Sequence, residues 1–370
     1  MKKIIITLFA LLILAPLEAK DLKVALSKSN STEITFMENY AIVINKEHFY
    51  GPIGKDTKLK ISIIDGQFNI TLIYPDEEGN EKGPGKPIDI AKTSGKIDIV
   101  RGFDNDIPFN ETIDPQKTTL QPISPEEINL SKEAQKTTPF FKYKPKGSAG
   151  EVEFTGPLSL TIRKTKDSFN LIETIPLEDY LVHVTNCEMR QANNSEAYKA
   201  QTILERTFVY NKIAERLDEK NKNRANWLDF QILADVRDQA YICDFRVKNK
   251  NLPDQKVKEA VKATESLVLG NQDKKLIDVH YCASCGKCYS CTASSCQATV
   301  NGIGDCQKGI MDAAKKGQSY TRILTKYHNN AFLYKYNEDG SLTFVQKLAN
   351  NQAQLEKSLS EMENKLKQMI

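Results

Sequence analysis

Net charge is nearly absent from this chain. Its 370 residues carry 51 Lys and Arg against 48 Asp and Glu, a formal balance of +3. No dominant basic patch with interleaved aromatics occurs and no nucleic-acid motif is present, which argues against a nucleic-acid partner. An HExxH pair is also missing, so a zinc-dependent hydrolase of that kind has no site. Beyond the N-terminus there is no apolar run of membrane-spanning length. Histidine is scarce, at four residues, and His183 and His328 have no partner at motif spacing.

What is present begins with a secretory pattern. Lys2-Lys3, the apolar run Ile4 to Leu14 and the small Ala19 read as a signal peptide over 1–19. The run is short for a transmembrane span, and an uncleaved anchor is the other reading. No cysteine lies near the cleavage site, which argues against a lipoprotein. The expected destination is the periplasm or the cell envelope.

Residues 20–103 alternate in strand fashion at Leu22 to Leu26, Tyr40 to Ile44, Leu59 to Ile64 and Phe68 to Tyr74. Asp65-Gly66-Gln67 supplies a hairpin turn, and the whole reads as a small β-rich module. Residues 104–149 are polar and contain proline, and read as a linker or insertion. Strands near Val152 and Ser159 to Arg163 open a further unit over 150–335. At 340–370, Leu348, Leu355, Leu359, Met362, Leu366 and Met369 form a short heptad repeat. That amphipathic helix either docks on its own domain or self-associates.

Glu188 is the most informative residue. Leu177, Leu181 and Val184 recur at helical spacing after Pro176, and the next position on that stripe is Glu188. A carboxylate there would lose hydration, the condition that keeps a carboxylic acid protonated and able to donate a proton. The plainer reading is a helix end whose glutamate turns to water. Asn193-Asn194-Ser195-Glu196 then offers N-cap residues for a second helix, about Glu196 to Leu217. On its inward face, with Ala197, Leu204 and Phe208, lies a second polar residue, Gln201.

The ordered block Pro176-Leu177-Glu178-Asp179-Tyr180-Leu181, Cys187-Glu188-Met189, Lys199-Ala200-Gln201 and Arg206-Thr207 resembles the core signature of the SpoIID/LytB family. These are the stage II sporulation protein D type lytic transglycosylases of bacterial cell walls. The likeness runs from about Gly156 to His328, through Asp235-Val-Arg-Asp-Gln-Ala-Tyr241, Val261 to Leu269 and Cys306-Gln307-Lys-Gly309. Where the family carries Gly-His-Gly-x-Gly, this chain reads Val300-Asn301-Gly302-Ile303-Gly304, with asparagine in place of the histidine.

The resemblance implies an α+β fold, with a helical active-site region and strands in the core. It implies an exported lytic transglycosylase that cleaves the bond between N-acetylmuramic acid and N-acetylglucosamine and leaves a 1,6-anhydro end. Glu188 would be the single acid/base, with no cofactor needed for the chemistry. Tyr180, Gln201, Arg206, Asp238 and Gln239 would contact the glycan. The substrate would be glycan stripped of its stem peptides, which makes an N-acetylmuramoyl-L-alanine amidase a plausible functional partner. The alternative within the same family is a non-catalytic glycan-binding protein or amidase enhancer. The occasion the resemblance implies is division, sporulation or wall remodelling.

Six of the eight cysteines lie between Cys282 and Cys306. Cys282, Cys285, Cys288 and Cys291 follow one another at C-x2-C spacing, with His280 just ahead and Cys296 beyond. Thiolates so spaced suit tetrahedral zinc, and the resemblance supports a structural zinc here, with the choice of four ligands open. Disulfides are the rival in an oxidising compartment. An iron–sulfur cluster and a redox-active pair are further readings. Cys187 and Cys243 stand apart and read as small buried hydrophobes. A bond between those two is not legible from sequence.

Overall fold

Strand-like alternation near the N-terminus does become strands, and they reach further along the chain than the pattern implies. The computed structural model describes residues 21–29, 31–37, 40–44, 48–53, 57–65, 67–73, 87–88, 96–101, 139–144, 150–155, 159–165, 167–189, 192–217, 230–243, 254–283 and 304–349. First come β1 (Asp21–Ser29), β2 (Ser31–Phe36), β3 (Tyr40–Ile44), β4 (His48–Ile53), β5 (Lys58–Ile64), β6 (Gln67–Ile73), β7 (Pro87–Ile88) and β8 (Lys96–Arg101). β9 (Pro139–Tyr143), β10 (Val152–Thr155), β11 (Ser159–Lys164) and β12 (Phe169–Pro176) follow. Helices and short strands then mix: α1 (Leu177–Glu188), α2 (Ser195–Leu217), β13 (Ile232–Leu233), α3 (Gln255–Ala263), β14 (Leu267–Gly270), β15 (Tyr281–Cys282) and β16 (Asp305–Cys306). The last elements are α4 (Gln307–Lys315), α5 (Tyr320–Tyr327), β17 (Phe332–Tyr336) and β18 (Leu342–Lys347). The class is α+β, as the sequence implies.

Among the described residues, two large sheets carry thirteen of the strands, and β14-β17-β18 and β15-β16 form two small ones. Of the large sheets, one has seven strands, in the order β13-β1-β12-β11-β8-β3-β4, and the other has six, in the order β10-β9-β2-β5-β6-β7. Ile34, Leu59, Ile99, Phe141, Phe154 and Leu160 belong to one continuous core. The Phe141 and Phe154 rings stack there with centroids 4.6 Å apart. The β5–β6 hairpin turns at Asp65, whose φ of 49° is a left-handed value that aspartate tolerates.

The expected division at 104–149 is not how the sheets are built. β12 is buried along most of its length, so it needs neighbours on both edges. It finds β1 on one side, with Leu22 opposite Ile175, and β11 on the other. β11 in turn pairs with β8. Strands from 20–103 therefore flank the two strands that lead into α1. The 104–149 stretch also contains β9, with Phe140, Phe141 and Tyr143 buried. Its polar flanks hide this strand from a pattern reading.

The two expected helices form where the periodicity places them. Leu177, Leu181 and Val184 of α1 are buried, as are Ala197, Leu204 and Phe208 of α2. Asn194 Oδ1 accepts the Glu196 N–H at 2.9 Å and so caps α2. At the other end of the chain, the helix expected over 340–370 gives way to β18, followed by a buried Leu348. The Leu348 N–H donates to the Ala331 carbonyl at 2.8 Å. The expected signal peptide and the rest of the heptad repeat lie outside the described residues. Among the described residues no helix is long and apolar enough to cross a membrane.

Shared sheets make a direct prediction. A fragment spanning 150–349 lacks β8 and β1, the outer neighbours of β11 and β12, and it should show no cooperative thermal transition by circular dichroism. A cooperative melt matching that of the full chain would contradict this architecture.

Candidate active site

Glu188 closes α1 and is half-buried. Its Oε1 accepts the Ala240 backbone N–H at 2.8 Å, and its Oε2 accepts the Gln307 side-chain amide at 2.9 Å. A carboxylate oxygen has more than one lone-pair site, so each retains capacity for a proton or a ligand hydroxyl. The sequence expectation of an inward-facing glutamate is thus met in part. It sits at the end of the buried stripe, with one side open.

The Ala240 donor belongs to the 230–243 segment, which is fastened on both sides of that residue. Asp238 Oδ2 accepts Arg216 Nη2 at 2.8 Å and the Leu233 N–H at 2.7 Å. Gln239 Oε1 accepts the Tyr180 hydroxyl at 2.9 Å, and Gln239 Nε2 donates to the Glu205 carbonyl at 3.2 Å. On the far side, Cys243 is disulfide-bonded to Cys187, the residue next to Glu188, with Cα atoms 5.9 Å apart. The two cysteines read as small buried hydrophobes in the sequence are therefore a cross-link. Closing a span of 56 residues, it contributes about 4 kcal/mol by the loop-entropy relation.

Gln307 arrives by a different route. β16 lies parallel to β15, with Tyr281 opposite Asp305 and Cys282 opposite Cys306. Gly304 just before it has φ +109°, and a Cβ there would lie 1.9 Å from the His280 carbonyl oxygen. Only glycine permits that approach. Cys306 then caps α4, its sulfur accepting the Gly309 N–H at 3.4 Å, and Gln307 leads the helix into the site. The sequence signal for Gln307 was its place in the Cys306-Gln307-Lys-Gly309 block, but nothing local tied it to Glu188.

Five residues expected to touch the glycan are built into the interior instead. Tyr180 is fully buried and stacks on Tyr241 at 4.9 Å, so it offers no face to a sugar. Gln201 is fully buried and donates to Glu205 Oε1 at 3.1 Å rather than to Glu188. Arg206 is fully buried; it grips Glu178 with Nε at 2.9 Å and Nη2 at 2.5 Å, and gives Nη1 to the Leu267 carbonyl at 3.1 Å. Asp238 is consumed by Arg216 and the Leu233 amide, and Gln239 is 1% exposed. A side chain without accessible surface does not meet a bound ligand. These residues hold the surroundings of Glu188 in place.

The sequence reading passed over a second carboxyl. Glu205 on α2 is completely buried, hydrogen-bonded to the Thr185 hydroxyl as well as to Gln201. Burial drives its carboxyl well above the usual carboxylate range. The Glu188 charge pushes the same way, while the Thr185 and Gln201 hydrogen bonds and Arg206 oppose it. The Tyr281 hydroxyl is buried too, beside the Gln239 side chain. Burial, then the charges of Glu205 and Glu188, hold it well above the usual tyrosine range.

Of the five expected metal ligands, only His280 and Cys282 lie among the described residues. His280 is exposed, with Nε2 3.1 Å from Asp278 Oδ2. Among the described residues no group of three His, Cys, Asp or Glu side chains is placed to hold a metal. Cys285, Cys288 and Cys291 fall outside them.

Glu205 predicts a pH effect on stability. The folded state keeps its proton at pH values where the unfolded chain, titrating near about 4.3, has released it. Stability therefore falls as pH rises from that unfolded value toward the higher folded one. Glu205→Gln should remove this fall, so the melting temperature of the variant should gain on wild type between pH 5 and pH 8. Parallel melting curves across that range would refute it.

Comparison with known proteins adds to this geometry. The family model "Stage II sporulation protein" (SpoIID) matches residues 165–270, a span that holds α1, α2, Glu188 and Glu205. Stage II sporulation protein D of Bacillus subtilis (strain 168) is 34% identical over 83 residues, or 22% of this chain and 23% of that protein. The chain thus spans about a quarter of that relative's length. No solved structure matches. Residues 165–270, which build the Glu188 helix and the polar interior behind it, are the part of the chain that is similar to the SpoIID family.

Proposed function

We propose that the protein is an exported, cell-wall lytic transglycosylase that cleaves glycan between N-acetylmuramic acid and N-acetylglucosamine. One observation carries this reading. Glu188 is the carboxylate that keeps an open side, and each of its oxygens is steadied by a donor from a separate segment. Two-carboxylate glycosidases need a second acidic group across the scissile bond. Of the neighbouring carboxyls, Glu205 has no exposed surface and Asp238 is tied to Arg216. That favours a mechanism with a single acid/base.

In it, protonated Glu188 gives its proton to the glycosidic oxygen as the bond to the anomeric carbon breaks. The resulting carboxylate stabilises the positive, oxocarbenium-like centre. It then takes the proton of the sugar's own 6-hydroxyl as that oxygen attacks the anomeric carbon. A 1,6-anhydro end forms, Glu188 is protonated again, and no water is consumed. The Ala240 and Gln307 donors keep the carboxyl in one orientation through both transfers. The preferred substrate is glycan stripped of stem peptides, so an N-acetylmuramoyl-L-alanine amidase would act first. Zinc held by the 280–306 cysteines would be structural, since this chemistry runs on Glu188.

The test uses purified full chain and peptide-free glycan strands. Glu188→Gln should keep the wild-type melting temperature and lose product release by about 100-fold or more. Equal release by wild type and variant would sink the proposal. Glycan binding by a wild type that releases nothing would put the non-catalytic reading in its place.

A further inference from the structure

The buried carboxyl behind Glu188 has no part in that chemistry, yet it is costly to keep. A fully buried carboxylic acid gives up its hydration, and an apolar residue in the α2 interior would avoid that cost. The Glu205 side chain is not isolated there. Its Oε2 is hydrogen-bonded to Thr185, its Oε1 accepts the Gln201 amide at 3.1 Å, and its backbone carbonyl accepts Gln239 Nε2 at 3.2 Å. The Thr185 hydroxyl also lies 3.1 Å from that of Thr202.

Those partners belong to the pieces that hold Glu188. Thr185 is three residues before Glu188 on α1, close to one helical turn, and its carbonyl accepts the Met189 N–H at 2.9 Å just past the helix end. Gln239 immediately precedes Ala240, whose N–H binds Glu188 Oε1. One residue of α2 thus touches both the last turn of α1 and the donor loop. The ionisable groups that face it are Glu188 and Tyr180 from α1, Tyr281 from β15 and Arg206 on its own helix.

We propose that Glu205 is a positioning residue for Glu188, using its buried carboxyl to lock the last turn of α1 and the Ala240 loop onto α2. This rests on the assignment of Glu188 as the acting carboxyl. Glutamine matches a neutral carboxylic acid in shape and can both donate to Thr185 and accept from Gln201 through its carboxamide. Leucine has similar bulk and does neither.

Amide hydrogen exchange at Ala240, read by NMR on the full chain, tests this without requiring activity. Glu205→Leu should lower Ala240 protection by about 10-fold while the β5 amides keep theirs. Thr185→Val, which leaves the carboxyl but removes its α1 partner, should shift Ala240 in the same direction. Glu205→Gln should restore wild-type protection. On peptide-free glycan, the leucine variant should lower kcat and leave KM in place. Wild-type protection at Ala240 in both Glu205→Leu and Thr185→Val would overturn the proposal. So would loss of protection in Glu205→Gln equal to that in Glu205→Leu. If wild type releases no glycan product, the lytic reading fails alone, and Ala240 exchange still decides the role of Glu205.

Discussion

Two hydrogen bonds to one carboxylate set the requirements for much of the fold. Glu188 takes a donor 52 residues ahead and another 119 residues ahead. Neither is local, so each must be delivered by tertiary structure. The first comes on a segment anchored by the Asp238–Arg216 pair, by Gln239 and by the Cys187–Cys243 cross-link. The second comes at the head of α4, after a backbone approach at Gly304 that no side chain allows. Intramolecular hydrogen bonds each contribute roughly 0.5–1.5 kcal/mol net, and more is lost when a buried partner is left unpaired. Slack in either support would let the carboxyl turn away.

The interior behind Glu188 is polar for the same reason. Apolar packing is tolerant of small rotations, whereas a network with paired donors and acceptors has one good arrangement. The Arg206 fork on Glu178 ties α2 to the first turn of α1, and its third contact reaches β14. The next residue, Thr207, accepts the Leu269 N–H at 3.0 Å. With the Tyr180–Gln239 hydrogen bond, α1, α2, β14 and the donor loop are mutually fixed. Removing one member strands the others without solvent, which costs more than the pair contributes.

Local periodicity made the helices, the β5–β6 hairpin and the position of Glu188 legible, because those features depend on neighbours in sequence. The pairing of β1 with β12 has no such signature, and for that reason a separate N-terminal module looked reasonable. Tyr180, Gln201, Arg206, Asp238 and Gln239 have side chains suited to sugars, and only their burial shows that they serve the protein instead. Glu205, next to Arg206, belongs to no motif, and nothing marks it until Thr185 is found against it. The disulfide was equally silent, since its two cysteines are 56 residues apart and share no motif.

The central claim is that Glu188 works alone and that the sugar's own hydroxyl, not water, closes the reaction. Mass spectrometry of products formed from peptide-free glycan in heavy-oxygen water tests it directly. The account predicts ends lighter by one water, with the 1,6-anhydro bridge and no heavy oxygen. Reducing ends that carry heavy oxygen would show hydrolysis and contradict it.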